Sequence, residues 1–250
     1  MIVAGNRFDG VVGLFGLYFC AMIQLESGEI RVVETEDGSR TLYLPGMDET
    51  YHSTHGAMTE SSHVYIQNGL DFWLGENPGA KSVRVFEMGL GTGTNALLAM
   101  DWCERTGCAV KFYTVEKFPL SETLMREYWG DTVYAERSEA LHASAWEQWV
   151  EIPLSSSCFS VFKHKRDIQE AQVPETLDVV FWDAFGPNKQ EGVWGVELFQ
   201  PMYDAMLEGG VFVTYSAAGD VKRALQQVGF GVKKLDGPPY KRHMLRAQKG

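Results

Sequence analysis

The sequence predicts an α/β fold in which a mostly parallel sheet carries helices on both faces. From residue 83 onward, short apolar runs alternate with helical patterns, which is typical of repeated βαβ units. A glycine-rich turn follows the first of these runs, and acidic residues follow the next two. Hydrophobic residues make up 45% of the 250-residue chain and charged residues 22%, so the chain can bury the core that such a fold requires.

A smaller region, residues 22–80, precedes the sheet region of residues 81–250 and is expected to lie on the substrate side of the molecule. Two β-rich runs between Ile30 and Leu44 flank the turn signal Glu-Asp-Gly-Ser, which predicts a small N-terminal hairpin. The residues from Gly56 to Leu70 are expected to form a helix that leads into the sheet region.

The sheet region is expected to alternate strands and helices along its whole length. Only Asp236–Lys241 separates the last two strands, which is too short for a crossover helix, so these strands are expected to form an antiparallel hairpin. The predicted strands lie at 83–88, 110–115, 159–163, 177–182, 210–215, 230–235 and 242–247, and the predicted helices at 93–105, 119–128, 138–150, 195–207 and 217–228.

Residues 1–21 are either an N-terminal extension or sequence upstream of a start at Met22. The apolar run Val11–Ile23 is interrupted by two glycines and is too short to span a bilayer. A signal peptide is disfavoured because Asp9 lies in its would-be basic region and no small-x-small cleavage site follows.

Cysteine and histidine usage argues against disulfide and metal sites. The four cysteines include no CxxC pair, which favours reduced thiols and a cytoplasmic location. The six histidines show no spacing typical of metal ligands, so no metal is expected.

The glycine turn joins the first predicted strand of the sheet to a helix. Glycines there let the backbone turn sharply and approach a ligand, and the free amides at a helix start favour a carboxylate or phosphate. The pattern is GxGxG, which is neither the dinucleotide fingerprint nor a Walker motif. The candidate ligand-binding residues of this turn are Gly89, Gly91, Gly93 and Asn95.

Three acidic residues lie near the ends of the first three strands. Glu87 precedes the glycine turn, and Glu116 follows the second strand, where an acidic side chain can bind both ribose hydroxyls. Asp167 follows the third strand, where it could accept a hydrogen bond from an adenine amino group. Each acid alone is also explained as a solvated loop carboxylate or helix cap, but together with the turn they predict a site for S-adenosylmethionine.

The loop after the fourth strand begins with Asp183, which is expected beside the methyl donor. Phe185 and the following Gly-Pro pair would form a rigid floor next to it. Trp194 and Phe199 on the next helix are either base-stacking residues or core residues.

Five segments of the chain together resemble the sequence of a known family. They are residues 87–95, 116–120, 183–189, 214–219 and 237–245. The set resembles the tRNA 5-aminomethyl-2-thiouridine methyltransferase family, over about residues 35–246. That family is a stand-alone enzyme in some bacteria and the methyltransferase half of a bifunctional protein in others. Family members often carry Ala or Ser where Gly186 stands here, which should not disturb the turn.

The resemblance implies a Rossmann-like class I methyltransferase that uses S-adenosylmethionine as its cofactor. Its expected reaction converts the 5-aminomethyl group of the (2-thio)uridine at the tRNA wobble position to 5-methylaminomethyl. Asp183 is implied as the catalytic residue, beside both donor and amine, and either accepts the amine proton or only orients the amine. No flavin oxidase half is expected in this chain, so a separate oxidase or upstream modification enzyme would supply the aminomethyl precursor.

Basic residues are concentrated near the C-terminus of this acidic chain. The net charge of −11 argues against a non-specific nucleic-acid coat protein. Residues 219–250 carry +6 and the remainder −17, so they are either ordinary surface residues or a basic patch that holds a tRNA stem by phosphate contacts. Phe185, Lys241 and Arg242 are the candidates for contact with the substrate.

Two alternatives remain open from the sequence. An aminopropyltransferase of the spermidine synthase type would share the scaffold, but it is expected to carry a Gly-Gly-Gly-Asp-Gly turn. A non-catalytic relic that binds tRNA or a protein would be expected to have lost donor-site residues, yet Gly89, Gly91, Glu116 and Asp183 are all present.

Overall fold

The computed structural model describes residues 30–155 and 157–250. The hypotheses about residues 1–21 and a start at Met22 therefore lie outside the described residues. No helix within the described residues is both long and apolar enough to cross a membrane.

A three-stranded antiparallel sheet opens the described part of the chain. Its strands are β1 (Arg31–Glu34), β2 (Arg40–Leu44) and β3 (Glu49–Thr50). The predicted hairpin is confirmed, since β1 pairs with β2 across the Glu-Asp-Gly-Ser turn. Asp37 closes that turn by accepting hydrogen bonds from the backbone and the hydroxyl of Ser39.

The next element, α1, is one continuous helix with a π-helical centre. It comprises Ala57–Ser61, the π-helical segment Ser62–Asp71 and Phe72–Glu76, so it extends beyond the predicted end at Leu70. Gly69 brings α1 close to the main sheet, since a Cβ there would lie 3.1 Å from the Phe181 ring. Because π-helical segments often occur at functional sites, this segment of α1 is a candidate contributor to the site.

The main sheet has eight strands in the order β10-β11-β9-β8-β4-β5-β7-β6. The strands are β4 (Ser82–Met88), β5 (Ala109–Val115), β6 (Trp149–Pro153), β7 (Cys158–His164), β8 (Leu177–Trp182), β9 (Met206–Thr214), β10 (Gly231–Asp236) and β11 (His243–Gln248). The remaining helices are α2 (Thr94–Thr106), α3 (Glu122–Trp129), α4 (Ala135–Ala143), α5 (Val196–Ala205) and α6 (Gly219–Gln227).

The five central strands are parallel, as predicted, and the sheet edges are antiparallel. Strands β9, β8, β4, β5 and β7 form the parallel part. The predicted C-terminal hairpin is confirmed, since β10 pairs antiparallel with β11, which in turn pairs antiparallel with β9.

Two predicted helices are too long. The helix expected at 138–150 ends at Ala143, and an unpredicted edge strand, β6, begins at Trp149 and pairs antiparallel with β7. Val150 and Ile152 face Val161 and Phe159 across that pair, and this period of two, rather than helical spacing, decides the local structure. Likewise, the helix expected at 195–207 gives way at Met206 to β9, which starts four residues earlier than the predicted 210.

Hydrophobic packing on both faces of the sheet makes three layers. On one face Phe181 packs in the cluster that includes residues of α1 and α2. On the other face its neighbours in β8, Val180 and Trp182, pack with residues of α5 and α6. Every residue of β8 is buried, as expected for a central parallel strand, and this rigid layer fixes the loop that follows it.

Candidate active site

A cavity of about 650 Å³ opens at the carboxyl ends of β4, β5 and β8. The chain order reverses here, because β5 and β7 lie on one side of β4 whereas β8 and β9 lie on the other. Ligands of open α/β sheets bind at such a switch point, and the volume is within the usual range for small-molecule sites. We call this cavity the cleft.

The glycine turn forms one wall of the cleft. Gly89 and Gly91 line it, and both adopt left-handed backbone angles, with φ of +90° and +52°. A Cβ at Gly91 would lie 3.1 Å from the Tyr51 ring, and one at Gly89 would lie 3.2 Å from the Asp183 carbonyl oxygen. Both glycines are therefore required by the local geometry of the cleft wall.

Gly93, in contrast, lies outside the residues that line the cleft. Its φ is +79°, and a Cβ there would lie 2.8 Å from the Leu141 side chain of α4. The sequence predicted a ligand contact for Gly93, but its position is explained by the packing of α2 against α4.

Substituting Gly93 with alanine is expected to lower the melting temperature more than substituting Gly107. Gly107, at the other end of α2, has a similar φ of +70° but open space at the Cβ position, so Gly107→Ala measures the backbone strain alone. Gly93→Ala should lower the free energy of unfolding by about 1–3 kcal/mol more than Gly107→Ala does, which is the usual effect of adding atoms to a packed core. Thermal unfolding of the two variants provides the comparison, and equal losses would contradict this packing role.

The carboxylate of Glu116 is held rigidly beside the glycine turn. One oxygen accepts a hydrogen bond from the Gly91 amide at 3.0 Å and the other from the Phe118 amide at 2.7 Å. Glu116 lines the cleft, and burial raises its pKa. Backbone amides of Leu90 and Lys117 also favour its charged form, so the carboxylate is held in one orientation at the cleft wall.

Asp167 also lines the cleft, but its carboxylate already has two partners. Lys117 Nζ donates to one oxygen at 2.6 Å, and the Gln169 amide donates to the other at 3.2 Å. The second contact makes Asp167 the N-cap of a short turn. The structure thus combines the two interpretations of this residue, a loop cap and a cleft residue.

Glu87 is fully buried below the cleft and is not among the residues that line it. Thr114, its neighbour on β5, donates a hydrogen bond to Glu87 Oε2 at 2.8 Å. Burial raises the pKa of Glu87. Glu87 is therefore a buried neighbour of the residues that line the cleft, and its contact with a ligand stays a prediction.

Asp183 follows β8 and is the central acidic group of the cleft. Tyr65, from the π-helical segment of α1, donates to Asp183 Oδ1 at 2.6 Å, and Asn95 Nδ2 donates to Oδ2 at 2.8 Å. Burial raises the pKa of Asp183, an effect that nearby His52 and these hydrogen bonds oppose. Asn95 lines the cleft too, and its buried Oδ1 has no hydrogen-bond partner among the described residues.

Several cleft residues come from the segment before the main sheet, which was expected on the substrate side, although none of them was singled out as a site residue. Tyr51 and His52 follow β3, and Glu60 and Tyr65 belong to α1. His52 bonds through Nε2 to the Thr92 hydroxyl at 3.0 Å, and burial lowers its pKa. No sequence motif marked these residues, because their contacts with the cleft are made only in the folded chain.

The loop after β8 contributes a floor, as the sequence predicted in outline. Phe185 lines the cleft, and its ring meets Tyr51 edge to face with a centroid distance of 5.3 Å. Trp194 lies in the core and donates its indole N–H to the Phe185 carbonyl at 2.8 Å. Phe199 is also fully buried, so the core interpretation of these two aromatic residues holds.

The two basic candidates of the closing loop differ in position. Lys241 lines the cleft, where its ammonium group pairs with Glu60 and lies 4.2 Å from the centroid of the Tyr215 ring. Arg242 is exposed and lies outside the cleft lining. Only Lys241 is therefore placed to meet a small group inside the cleft.

The C-terminal basic segment is partly engaged within the chain. Arg246 lies 3.4 Å from the centroid of the Phe72 ring, Lys249 donates to two backbone carbonyls, and Arg223 pairs with Asp220. Lys233 and Lys234 are exposed on the edge strand β10. A phosphate-binding patch would therefore rest on fewer than the eight basic residues of this segment.

Comparison with protein families and curated proteins identifies a common group of relatives. Residues 138–250 match the model of a family described as S-adenosyl-L-methionine-dependent methyltransferase. Two curated relatives are named tRNA 5-methylaminomethyl-2-thiouridine biosynthesis bifunctional protein MnmC. The one from Burkholderia multivorans is 30% identical over 84% of this chain and 33% of its own length. The one from Idiomarina loihiensis is 35% identical over 79% of this chain and 35% of its own length. The chain thus spans about a third of the length of these relatives.

Solved structures share the fold. The structure of MNMC2 from Aquifex aeolicus superposes with a TM-score of 0.68 at 24% identity, covering 96% of this chain and 78% of that one. A probable spermidine synthase from Corynebacterium glutamicum gives a TM-score of 0.51 at 16% identity, covering 88% and 76%. The Rossmann-like methyltransferase fold is therefore confirmed, and at these identities the likeness extends to the fold alone.

Proposed function

Because this chain belongs to the MnmC-related family of S-adenosyl-L-methionine-dependent methyltransferases, we propose that it methylates the aminomethyl nitrogen of a tRNA wobble uridine. The product would be the 5-methylaminomethyl group. The observation that carries this proposal is Asp183, which Tyr65 and Asn95 hold in the cleft beside the glycine turn. The primary amine would come from an upstream modification enzyme.

The described residues suit an adenosyl methyl donor in the cleft. The fixed carboxylate of Glu116 offers two acceptor oxygens to ribose hydroxyls, and Gly89 and Gly91 leave room for close approach. Asp167 is the candidate partner for the adenine amino group. When bound, S-adenosylmethionine supplies an electrophilic methyl group on a sulfonium. The buried Asn95 Oδ1 is an acceptor still in need of a partner, as expected at a binding site.

Asp183 fits the proton problem of this reaction. A primary alkylamine is mostly protonated at neutral pH and then lacks the lone pair that must form the new N–C bond. A buried carboxylate with a raised pKa can attract the ammonium form and accept its proton, directly or through water. Tyr65 and Asn95 each donate to one oxygen of Asp183, so the carboxylate keeps one orientation while the amine is aligned.

The ion pair between Lys241 and Glu60 lines the cleft without adding net charge to it. The rings of Phe185 and Tyr51, which meet edge to face, provide an apolar aromatic corner that a base can contact. Selection of the extruded uridine would therefore come from the shape of the cleft and from contacts with its aromatic rings, while Asp183 meets the amine.

Methyl transfer to tRNA tests the proposal directly. The chain would be incubated with S-adenosylmethionine labelled in the methyl group and tRNA that carries the 5-aminomethyl precursor. We expect label in the wobble nucleoside, and none in matched tRNA that lacks the aminomethyl group. Donor binding without labelled tRNA would instead support a non-catalytic relic. In a parallel incubation with decarboxylated S-adenosylmethionine and putrescine, aminopropyl transfer without any methyl transfer to tRNA would support an enzyme of the spermidine synthase type.

A further inference from the structure

An exposed aromatic side chain lies at the rim of the cleft. Tyr240 belongs to the loop between β10 and β11, directly before the cleft residue Lys241, and its side chain is 71% exposed. Large hydrophobic side chains are rarely this exposed in the described part of the chain. Because exposure of a large ring next to a binding site often marks an interaction surface, Tyr240 requires an explanation.

The ring of Tyr240 is held in place rather than left free. It stacks on His55 with a centroid distance of 4.4 Å and an interplanar angle of 23°. His55 Nδ1 in turn bonds to Glu36 at 2.8 Å. His55 follows the cleft residue His52 by three residues and Tyr240 directly precedes the cleft residue Lys241, so the stacked pair joins two segments that continue into the cleft lining.

The backbone of Tyr240 is strained in a way that favours a function. Its φ of +74° is unusual for a residue other than glycine. The surrounding loop is closed by hydrogen bonds from the Lys241 amide to the Pro238 carbonyl and from the Gly237 amide to the Arg242 carbonyl. Non-glycine residues held in a left-handed conformation cluster at ligand-binding and switch regions, so the backbone of Tyr240 supports a functional role for its exposed ring.

We propose that Tyr240, backed by His55, is a stacking platform for an unpaired base of the tRNA anticodon loop next to the nucleotide that enters the cleft. This inference rests on the proposed function. His55 covers one face of the ring, and the other face is left to the solvent. Bases of single-stranded loops can stack on such a face once their neighbour is drawn out of the loop.

The charges around the ring suit an RNA backbone that passes over it. Arg242 is exposed two residues after Tyr240, with no hydrogen bond or ion pair to any other described side chain. Lys241 is instead held by Glu60 inside the cleft. Arg242 is therefore the group of this loop that is free to meet a phosphate, while Tyr240 meets the base.

Three substitutions of Tyr240 distinguish the effect of the ring from the effect of the strained backbone. Tyr240→Ala and Tyr240→Gly both remove the ring, but glycine also relieves the strained φ, whereas Tyr240→Phe keeps the ring. Loss of one stacked base should raise the KM for tRNA about tenfold in the alanine and glycine variants. The phenylalanine variant should stay close to the unsubstituted protein, and kcat and donor affinity should be unchanged in all three.

Trp149 provides a matched control. It is 50% exposed, but it lies on β6 at the opposite edge of the sheet from the β10–β11 loop. Trp149→Ala should therefore leave the KM for tRNA unchanged. The proposal that Tyr240 stacks on a base would be overturned by an unchanged KM for tRNA in Tyr240→Ala. It would also be overturned if Tyr240→Phe raised this KM as much as Tyr240→Ala does.

A direct binding probe keeps this test independent of the catalytic proposal. An anticodon stem-loop with 2-aminopurine beside the wobble position should lose fluorescence on binding the unsubstituted protein, because stacking quenches the probe. The quenching should disappear with Tyr240→Ala and persist with Tyr240→Phe. If tRNA is bound but not methylated, the proposed function fails while this result still decides the role of Tyr240. If the RNA binds without quenching of the probe, the stacking role of Tyr240 is overturned while the proposed function is not affected.

Discussion

Replacing Asp183 with asparagine is expected to lower kcat by about 10²–10⁴-fold, the range typical of a lost general base. Asparagine has nearly the same shape, but it carries no charge to attract the ammonium form of the substrate and cannot accept its proton. The affinity for the methyl donor should change little, because the proposed donor contacts are made mainly by Glu116 and the glycine turn. Single-turnover methyl transfer to aminomethyl tRNA, together with donor titration, measures both quantities.

Tyr65→Phe is the matched comparison for Asp183→Asn. It removes the hydroxyl that donates to Asp183 Oδ1 but leaves Asp183 charged and bonded to Asn95. We expect a smaller loss of kcat, about tenfold, from a carboxylate that is less well oriented. Full turnover in Asp183→Asn would exclude the acid–base and charge role, whereas a loss of donor affinity equal to the loss of kcat would reassign Asp183 to donor binding.

The parts of the cleft that follow the sheet topology could be predicted from the sequence. Glu116 and Asp183 come directly after two apolar runs, and the carboxyl ends of parallel strands meet at one edge of a sheet. Their proximity in the cleft therefore followed from strand order. Gly89 and Gly91 likewise followed from the sharp turn between β4 and α2, which requires left-handed backbone angles.

Other parts depend on contacts that no local pattern encodes. Tyr65 meets Asp183 across 118 positions of the chain, and it does so from a π-helical segment that hydrophobic periodicity does not distinguish from an α-helix. Gly93 and Glu87 belong to the same motif as Gly91, yet Gly93 packs on Leu141 and Glu87 is buried and bonded to Thr114. A motif thus identifies the turn, while packing decides which of its residues reach the ligand.

Glu116→Gln is expected to weaken donor binding about 10- to 100-fold, the effect of losing a charged hydrogen-bond acceptor worth about 1.5–3 kcal/mol. Both oxygens of Glu116 accept backbone amides, from Gly91 and Phe118. The amide group of glutamine would direct a donor at one of these amides, so the substitution also disturbs the turn that borders the ligand.

Two ligands and one matched variant locate the effect of Glu116. S-adenosylhomocysteine shares the adenosyl part of the donor but lacks the sulfonium charge, so calorimetric titration should give the same fold-loss for both ligands if Glu116 binds the ribose. A loss confined to S-adenosylmethionine would mean that Glu116 acts on the sulfonium instead. Asp167→Asn should cost less, about threefold, because the Oδ1 of asparagine can still accept the single hydrogen bond proposed from the adenine amino group. A larger loss in Asp167→Asn than in Glu116→Gln would reverse the assignment, making the adenine contact rather than the ribose contact the main anchor of the donor.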